Sequence, residues 1–344
     1  MRPLPLANPP NPWATTDVVY LEGEAPNVRL QVFHDATRSI LSKNDSPDLG
    51  FTWSVNPYRG CFHACAYCYA RPGHEYLSFG AGTDFERKIV VKPDAPELLR
   101  AAFDAPSWRG ERVVFSGVTD CYQPLEATYR LTRACLEVCA EYKNPAAVIT
   151  KSPLIERDVD LLVELAARAD LGISVSIPFF DEAKARAMEP YVATPARRMR
   201  TIAKLAARGL SVAVSVAPII PGLGDEEIGD VLKAAKDAGA TAAFWSMLRL
   251  PGPVKEVFED RLRESLPLRA DKVLRRIRDV RGGKMYDATF GTRGRGEGVY
   301  ADATAALFEQ TARRLGLSTG TQMAEPARST FERPLARRGQ LALF

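Results

Sequence analysis

Three of the chain's six cysteines fall within eight positions, Cys61, Cys65 and Cys68, in the stretch NPYRGCFHACAYCYARPGHEYL at residues 56–77. At C-x3-C-x2-C spacing they are one thiolate short of the four that close a metal site. A structural zinc site takes four nitrogen or sulfur ligands, and of the three histidines, His34, His63 and His74, the last would complete a Cys3His set. A [4Fe–4S] cluster normally takes four thiolates. With three supplied, one iron keeps a place for an exchangeable ligand, and that open place becomes the functional point. Cys135 and Cys139, at i and i+4 in an apolar helical stretch, read as buried core thiols. With so few cysteines left, a second full cluster is not expected.

A reactive loop needs a rigid frame, and the flanking sequence predicts one. Short apolar, β-branched runs recur: FTWSVN (51–56), RVVFSGV (112–118), AAVITK (146–151), LGISVSI (171–177), LSVAVSVAPII (210–220) and TAAFWSMLRL (241–250). Segments of helical period lie between the later runs, and two of them end in Gly209 and Gly239, as helix C-termini often do. Strand–helix alternation means βαβ units on a parallel sheet. The count is six, short of the eight that close a barrel, so the expected fold is α/β, a partial (βα)6 TIM-like barrel. An irregular N-terminal lead-in (1–50), with a few strand-like pieces such as NVRLQVF, precedes a core at 51–250. A basic helical region (251–317) and a flexible tail (318–344) follow. In such folds chemistry gathers at the C-terminal strand ends, where GVTD, TKS, SIP and PIIPG fall and where the cysteine loop follows the first strand.

Composition narrows the class. At 344 residues and 46% hydrophobic the chain can bury a large core, and it has no apolar run of membrane-crossing length. The proline-broken start, MRPLPLANPPNPW, does not read as a secretory signal, and clustered cysteines fit a reducing compartment; a cytoplasmic location is expected. The net charge of +4 is unevenly placed. Residues 261–295 hold eleven Lys/Arg against four Asp/Glu, a local +7 on a body of −3. A basic region on a nearly neutral body suggests a polyanionic partner such as nucleic acid, or a solvated helix face.

The cysteine loop, with Tyr67 just before its last cysteine and its place after the first strand, resembles the radical S-adenosylmethionine (SAM) superfamily. The longer stretches TDCYQPLE, TKSPLIERDVDLL, SVSIPFFDEAKARAMEP, PARRMRTIAKLAARGL and VAPIIPGLGDEE narrow the likeness to the spore photoproduct lyase-like group, often labelled "DNA repair photolyase". The resemblance runs from about residue 35 to 250. It implies that Cys61, Cys65 and Cys68 ligate a [4Fe–4S] cluster whose open iron is chelated by SAM. Electron transfer would then cleave a C–S bond and give a 5′-deoxyadenosyl radical. An electron donor such as flavodoxin or ferredoxin is implied as well. Carried over by position, Thr119 and Asp120 match a polar pair lining the SAM site, and Lys151 matches a lysine close to SAM. Ser174 and Ser176, on one strand face by period two, suit ribose or carboxylate contacts, and Arg198 adds a donor from a helix. One departure stands out. The lyase holds its hydrogen-donor cysteine where this chain has Gly117, and Cys121 and Tyr122 sit just after Asp120 instead as candidates to return a hydrogen atom.

The last five residues, QLALF (340–344), resemble the Q-L-x-L-F peptide by which bacterial DNA-processing proteins hold the replication sliding clamp. Leu341, Leu343 and Phe344 would be the apolar anchors and Gln340 a hydrogen-bonding group at the pocket rim.

Overall fold

A computed structural model describes residues 4–6 (backbone), 30–319, 326 and 328–334. Six parallel strands form its centre in chain order: β1 (Trp53–Val55), β2 (Val113–Phe115), β3 (Ala146–Thr150), β4 (Leu171–Ser176), β5 (Val212–Ile219) and β6 (Ala242–Met247). Each pairs in parallel with the next, so that Ser174 lies beside Ala213 and Ser215 beside Phe244. Leu41–Lys43 pairs antiparallel with β1 at one edge and Ser318–Thr319 parallel with β6 at the other. The six-unit partial barrel expected from the alternation is the observed one.

The two faces of these strands have different compositions, and the difference creates the site. Outward residues such as Phe115, Val148, Ile173, Val175, Val214 and Val216 join one core with Leu136, Leu162, Leu165, Ile202, Leu205 and Leu232 of the covering helices. Burying each of these side chains is worth about 1.5–3 kcal/mol. The helices are α1 (Ala95–Asp104), α2 (Leu131–Glu141), α3 (Val159–Arg168), α4 (Glu182–Met188), α5 (Pro195–Ala206) and α6 (Ile228–Asp237). Inward positions carry Ser54, Asn56, Gly172, Ser174, Ser176, Ala213, Ser215 and Ala217. A closed eight-stranded barrel fills its interior with Val, Ile and Leu. These small and polar side chains cannot fill theirs, and a cavity of about 670 Å³ remains.

Helix ends follow local chemistry. Thr194 caps α5 by accepting from the Arg197 amide, with Pro195 at the first helical position. Gly209 leaves the same helix in the left-handed conformation, φ +78°. The C-terminal region carries α7 (Val254–Ser265), α8 (Pro267–Asp279) and α9 (Val299–Arg314).

The lead-in and the tail both carry ordered pieces. The lead-in is partly sheet: Gln31–His34 lies between Leu4–Leu6 and Lys88–Val91 in a second sheet that also holds Tyr58–Arg59. Within the stretch expected to be a flexible tail, residues 328–334 are docked. Phe331 stacks on Tyr142 at 6.2 Å and meets Phe103 edge-on, and Arg333 donates to the carbonyls of Phe103 and Ala105 at 3.0 and 2.7 Å. Gly110 makes room for this segment, since a Cβ there would lie 2.2 Å from that of Phe331. Gln340–Phe344 lies outside the described residues.

Candidate functional site

The cysteine loop leaves β1 and is held by groups far away in sequence. Arg71, completely buried, donates to the carbonyls of Cys65 (2.9 Å), Ala64 (3.3 Å), Ala81 (2.9 Å) and Gly82 (3.0 Å), and pairs with Glu86 at 2.6 Å. Gln123 accepts from the Phe62 amide and donates to the Gly60 carbonyl at 3.2 and 3.0 Å. Thr119 donates to the Tyr58 carbonyl at 2.9 Å, and the Tyr58 hydroxyl donates to Glu126 at 2.5 Å. The stretch TDCYQPLE is therefore a cradle for the loop. Ala64 sits at φ +55° between two tight turns that close on the Cys61 and Cys65 carbonyls at 3.2 Å.

Cys65, Tyr67, Cys68, Thr119, Asp120, Lys151 and Ser176 all line the cavity at the strands' C-terminal ends. Asp120 is more a tie than a free carboxylate. It accepts from Thr150 Oγ1 at 2.7 Å and from the amides of Tyr122 (2.9 Å) and Lys151 (2.8 Å). His63 Nδ1 approaches it to 3.4 Å, outside good hydrogen-bond geometry. Burial would raise the Asp120 carboxyl, but the His63 contact and these bonds hold it below its ordinary value. The side chains of Cys121 and Tyr122 are not brought to the cavity. Asp120 turns the chain by accepting from Tyr122's own amide, and both side chains enter the core beneath the helices.

Ser174 lies one layer deeper than Ser176, its Oγ buried and without a hydrogen-bond partner. Arg198 is behind the cavity wall, donating to the Ser176 carbonyl at 2.8 Å and to Glu189 at 2.6 Å. Glu189, which the sequence reading missed, is the hub here. It also accepts from the Tyr67 hydroxyl and lies 3.6 Å from Lys151 Nζ. Burial would raise its carboxyl, but Arg198 foremost, then Lys151 and the Tyr67 bond, hold it below its ordinary value. The Lys151 ammonium is 5.8 Å from the Tyr67 ring centre and 3.4 Å from the Ala217 carbonyl, at the cavity edge. A Cβ on Gly117 would lie 2.7 Å from Ser54 Cβ, so Ser54 occupies that space.

The three thiols fit iron. Burial, together with Asp120 and the other two cysteines, pushes the Cys61 thiol well up, and burial raises Cys65 and Cys68 too. Thiols so placed become thiolates when a cation takes them. Among the described residues no three of His, Cys, Asp and Glu converge as ligands of a single ion do. A cuboidal cluster makes no such demand, because each thiolate takes a different iron. The Cys3His zinc set on His74 is not formed: its Nε2 is 2.9 Å from the Lys88 carbonyl, and its ring packs edge-on against Phe85.

The basic segment is not one cationic face. Arg281 is buried and donates to the Leu248, Thr292 and Arg293 carbonyls. Arg263, Lys272 and Arg276 pair with Glu259, Glu226 and Asp279. Arg293 pairs with Asp48, which also accepts from the Gly291 amide at 2.7 Å. That clasp joins the lead-in to the 288–296 loop at the cavity mouth. The mouth also carries Arg249 and Arg295, with Leu49, Tyr69 and Val118 part-exposed around them. No helix of the described residues is long and apolar enough to cross a membrane.

The sequence model of the radical SAM superfamily matches residues 55–235. An uncharacterised protein of Mycobacterium tuberculosis is 37% identical over 238 residues, 68% of this chain and 70% of its own. One of Acidianus two-tailed virus is 29% identical over 248 residues, 70% of this chain and 79% of its own. Among solved structures, spore photoproduct lyase complexed with dinucleoside spore photoproduct matches with a TM-score of 0.56 at 19% identity. The match covers 84% of this chain and 81% of that one, a likeness of fold.

Proposed function

The chain belongs to the radical SAM superfamily, and we propose that it holds a [4Fe–4S] cluster on Cys61, Cys65 and Cys68, binds SAM beside it, and acts on nucleic acid. The observation that carries the reading is the three-cysteine loop at the edge of a cavity of about 670 Å³, with Cys65 and Cys68 on its wall. That is ample for a small-molecule ligand. Bound there, the reduced cluster and SAM would supply one-electron cleavage of a C–S bond and a 5′-deoxyadenosyl radical. The chain's own residues bind and orient. Lys151 is placed to pair with a carboxylate, and Glu189, fixed by Arg198 and Tyr67, keeps its ammonium at the cavity edge. Ser176 and Ser215 offer hydroxyls from the inner strand faces, and Phe244 and Trp245 supply aromatic wall. Arg71 and Gln123 hold the loop's carbonyls and amides so that the thiols keep their positions.

Nucleic acid as substrate is supported by the cationic, aromatic mouth, and the fold neighbour was solved with a dinucleoside photoproduct. The test is anaerobic incubation with SAM and reductant, with and without single-stranded and duplex oligonucleotides, scored for 5′-deoxyadenosine and for changed bases. Binding and a changed rate or product are expected. SAM cleavage that nucleic acid neither stimulates nor inhibits, with no binding, would turn the reading to a peptide or small-molecule substrate.

A further inference from the structure

Arg249, two residues beyond β6, lines the cavity mouth with its Nε buried and without a hydrogen-bond partner. Its guanidinium lies 5.7 Å from the centre of the Tyr69 ring, a part-exposed aromatic next to Cys68. Among the described residues no carboxylate forms an ion pair with it. Asp48, the acid that senses its charge, is already taken by Arg293 and the Gly291 amide. Arg281 is close enough for Arg249 to help lower its pKa, after burial, so two guanidiniums share this corner. Arg295 adds a third, exposed cation; the other acids on the cavity wall are Asp120, already engaged by Thr150 and by the amides of Tyr122 and Lys151, and Glu309 of α9. A half-buried guanidinium without a partner is an expensive arrangement unless an anion arrives to use it. The flat face of Tyr69 beside it suits a base, and the fork suits a phosphate.

We propose that Arg249 is the anion anchor of the substrate, its guanidinium binding a phosphate of a nucleic-acid strand while an unstacked base lies against Tyr69. This rests on the nucleic-acid reading above and assigns it a residue. Lys151, across the cavity beside Glu189, is left to the cofactor, so the two cations answer to different ligands.

The test uses the cluster-loaded, full-length protein and a fluorescein-labelled single-stranded oligothymidylate, titrated by anisotropy at several salt concentrations. Arg249→Gln should weaken strand binding about tenfold or more and lower the slope of log affinity against log salt by about 0.7. Arg249→Lys should keep the slope and lose part of the affinity, because an ammonium restores the charge without the fork. Iron content and SAM affinity should stay at wild-type values in both variants. A free mononucleotide, thymidine 5′-monophosphate, should compete only at much higher concentration than an unlabelled strand. Unchanged affinity and slope in Arg249→Gln, or a loss of SAM affinity instead, would overturn the assignment while the nucleic-acid reading stood. Equal competition by the mononucleotide would overturn the strand. A wild-type protein that cleaves SAM yet binds no oligonucleotide would remove the underlying reading and the anchor with it.

Discussion

Arg71→Met should cost the protein both stability and its iron. Arg71 is fully buried and serves the carbonyls of Ala64, Cys65, Ala81 and Gly82, two of them inside the cysteine loop. Its ion pair with Glu86 at 2.6 Å is buried on both sides, and the nearest other cation, Arg261, stands at 3.7 Å. Removing one member of a buried pair costs about 3–5 kcal/mol, and each carbonyl left unsatisfied about 1–3 kcal/mol. Because the terms overlap and local relaxation recovers part, a loss of about 4 kcal/mol or more is expected. Urea melts of the cluster-free protein measure it, and iron per chain after anaerobic reconstitution reports on the loop. Arg71→Met/Glu86→Leu separates the two roles: it should recover about 2–3 kcal/mol by removing the stranded carboxylate. Cluster binding should stay defective, since the loop carbonyls still lack their donor. A single variant within about 1 kcal/mol of wild type that holds full iron would refute the template role.

Lys151→Ala should weaken SAM binding by about 1.5–3 kcal/mol, the worth of one charge-assisted contact, with iron content unchanged; equilibrium titration of SAM checks it, and an unaltered affinity removes Lys151 from the site. Gly117→Ala puts a Cβ 2.7 Å from Ser54 Cβ and should destabilise by about 1–3 kcal/mol, with Ser54→Gly restoring most of the loss in the double variant; a neutral single variant in thermal melts would show that the space is not filled. Lys92 is buried, and burial foremost, then Arg59, lowers its pKa from 10.5 to about 8 against the opposing pull of Asp35. The unfolded chain therefore binds more protons between those values, and wild-type stability gains on the order of 3 kcal/mol as pH rises from below 8 to above 10.5. Lys92→Met should be more stable than wild type at pH 7 and lose that advantage towards pH 10.5; a constant difference across the range would contradict the buried charge.

What the sequence made legible was local. The C-x3-C-x2-C loop and the strand periodicity can be read within short windows, and both stand where they were expected. What it hid was long-range pairing. Glu189 lies 122 residues from Tyr67, and Arg71 gave no signal beyond being one arginine among many. Thr119 and Asp120 do reach the cavity, but their polar atoms are committed to the Tyr58 carbonyl, to the Tyr122 amide and to Thr150 and Lys151 at the end of β3. Cys121 and Tyr122 looked available by register, and a side-chain turn at Asp120 sends them into the core. The charge run at 261–295 promised one basic face. Its partners Glu226, Glu259 and Asp48 come from other parts of the chain or from just outside the run, so the sum of charges overstated the free cations.

The most direct measurement is 5′-deoxyadenosine formed under strict anaerobiosis from SAM and reductant, by wild-type protein and by single Ala variants of Cys61, Cys65 and Cys68. The wild type should be brown, carry about four irons per chain and form 5′-deoxyadenosine, while each variant loses that product together with its cluster signal. A colourless wild type that binds zinc, or a triple Ala variant that keeps both iron and product, would contradict the account.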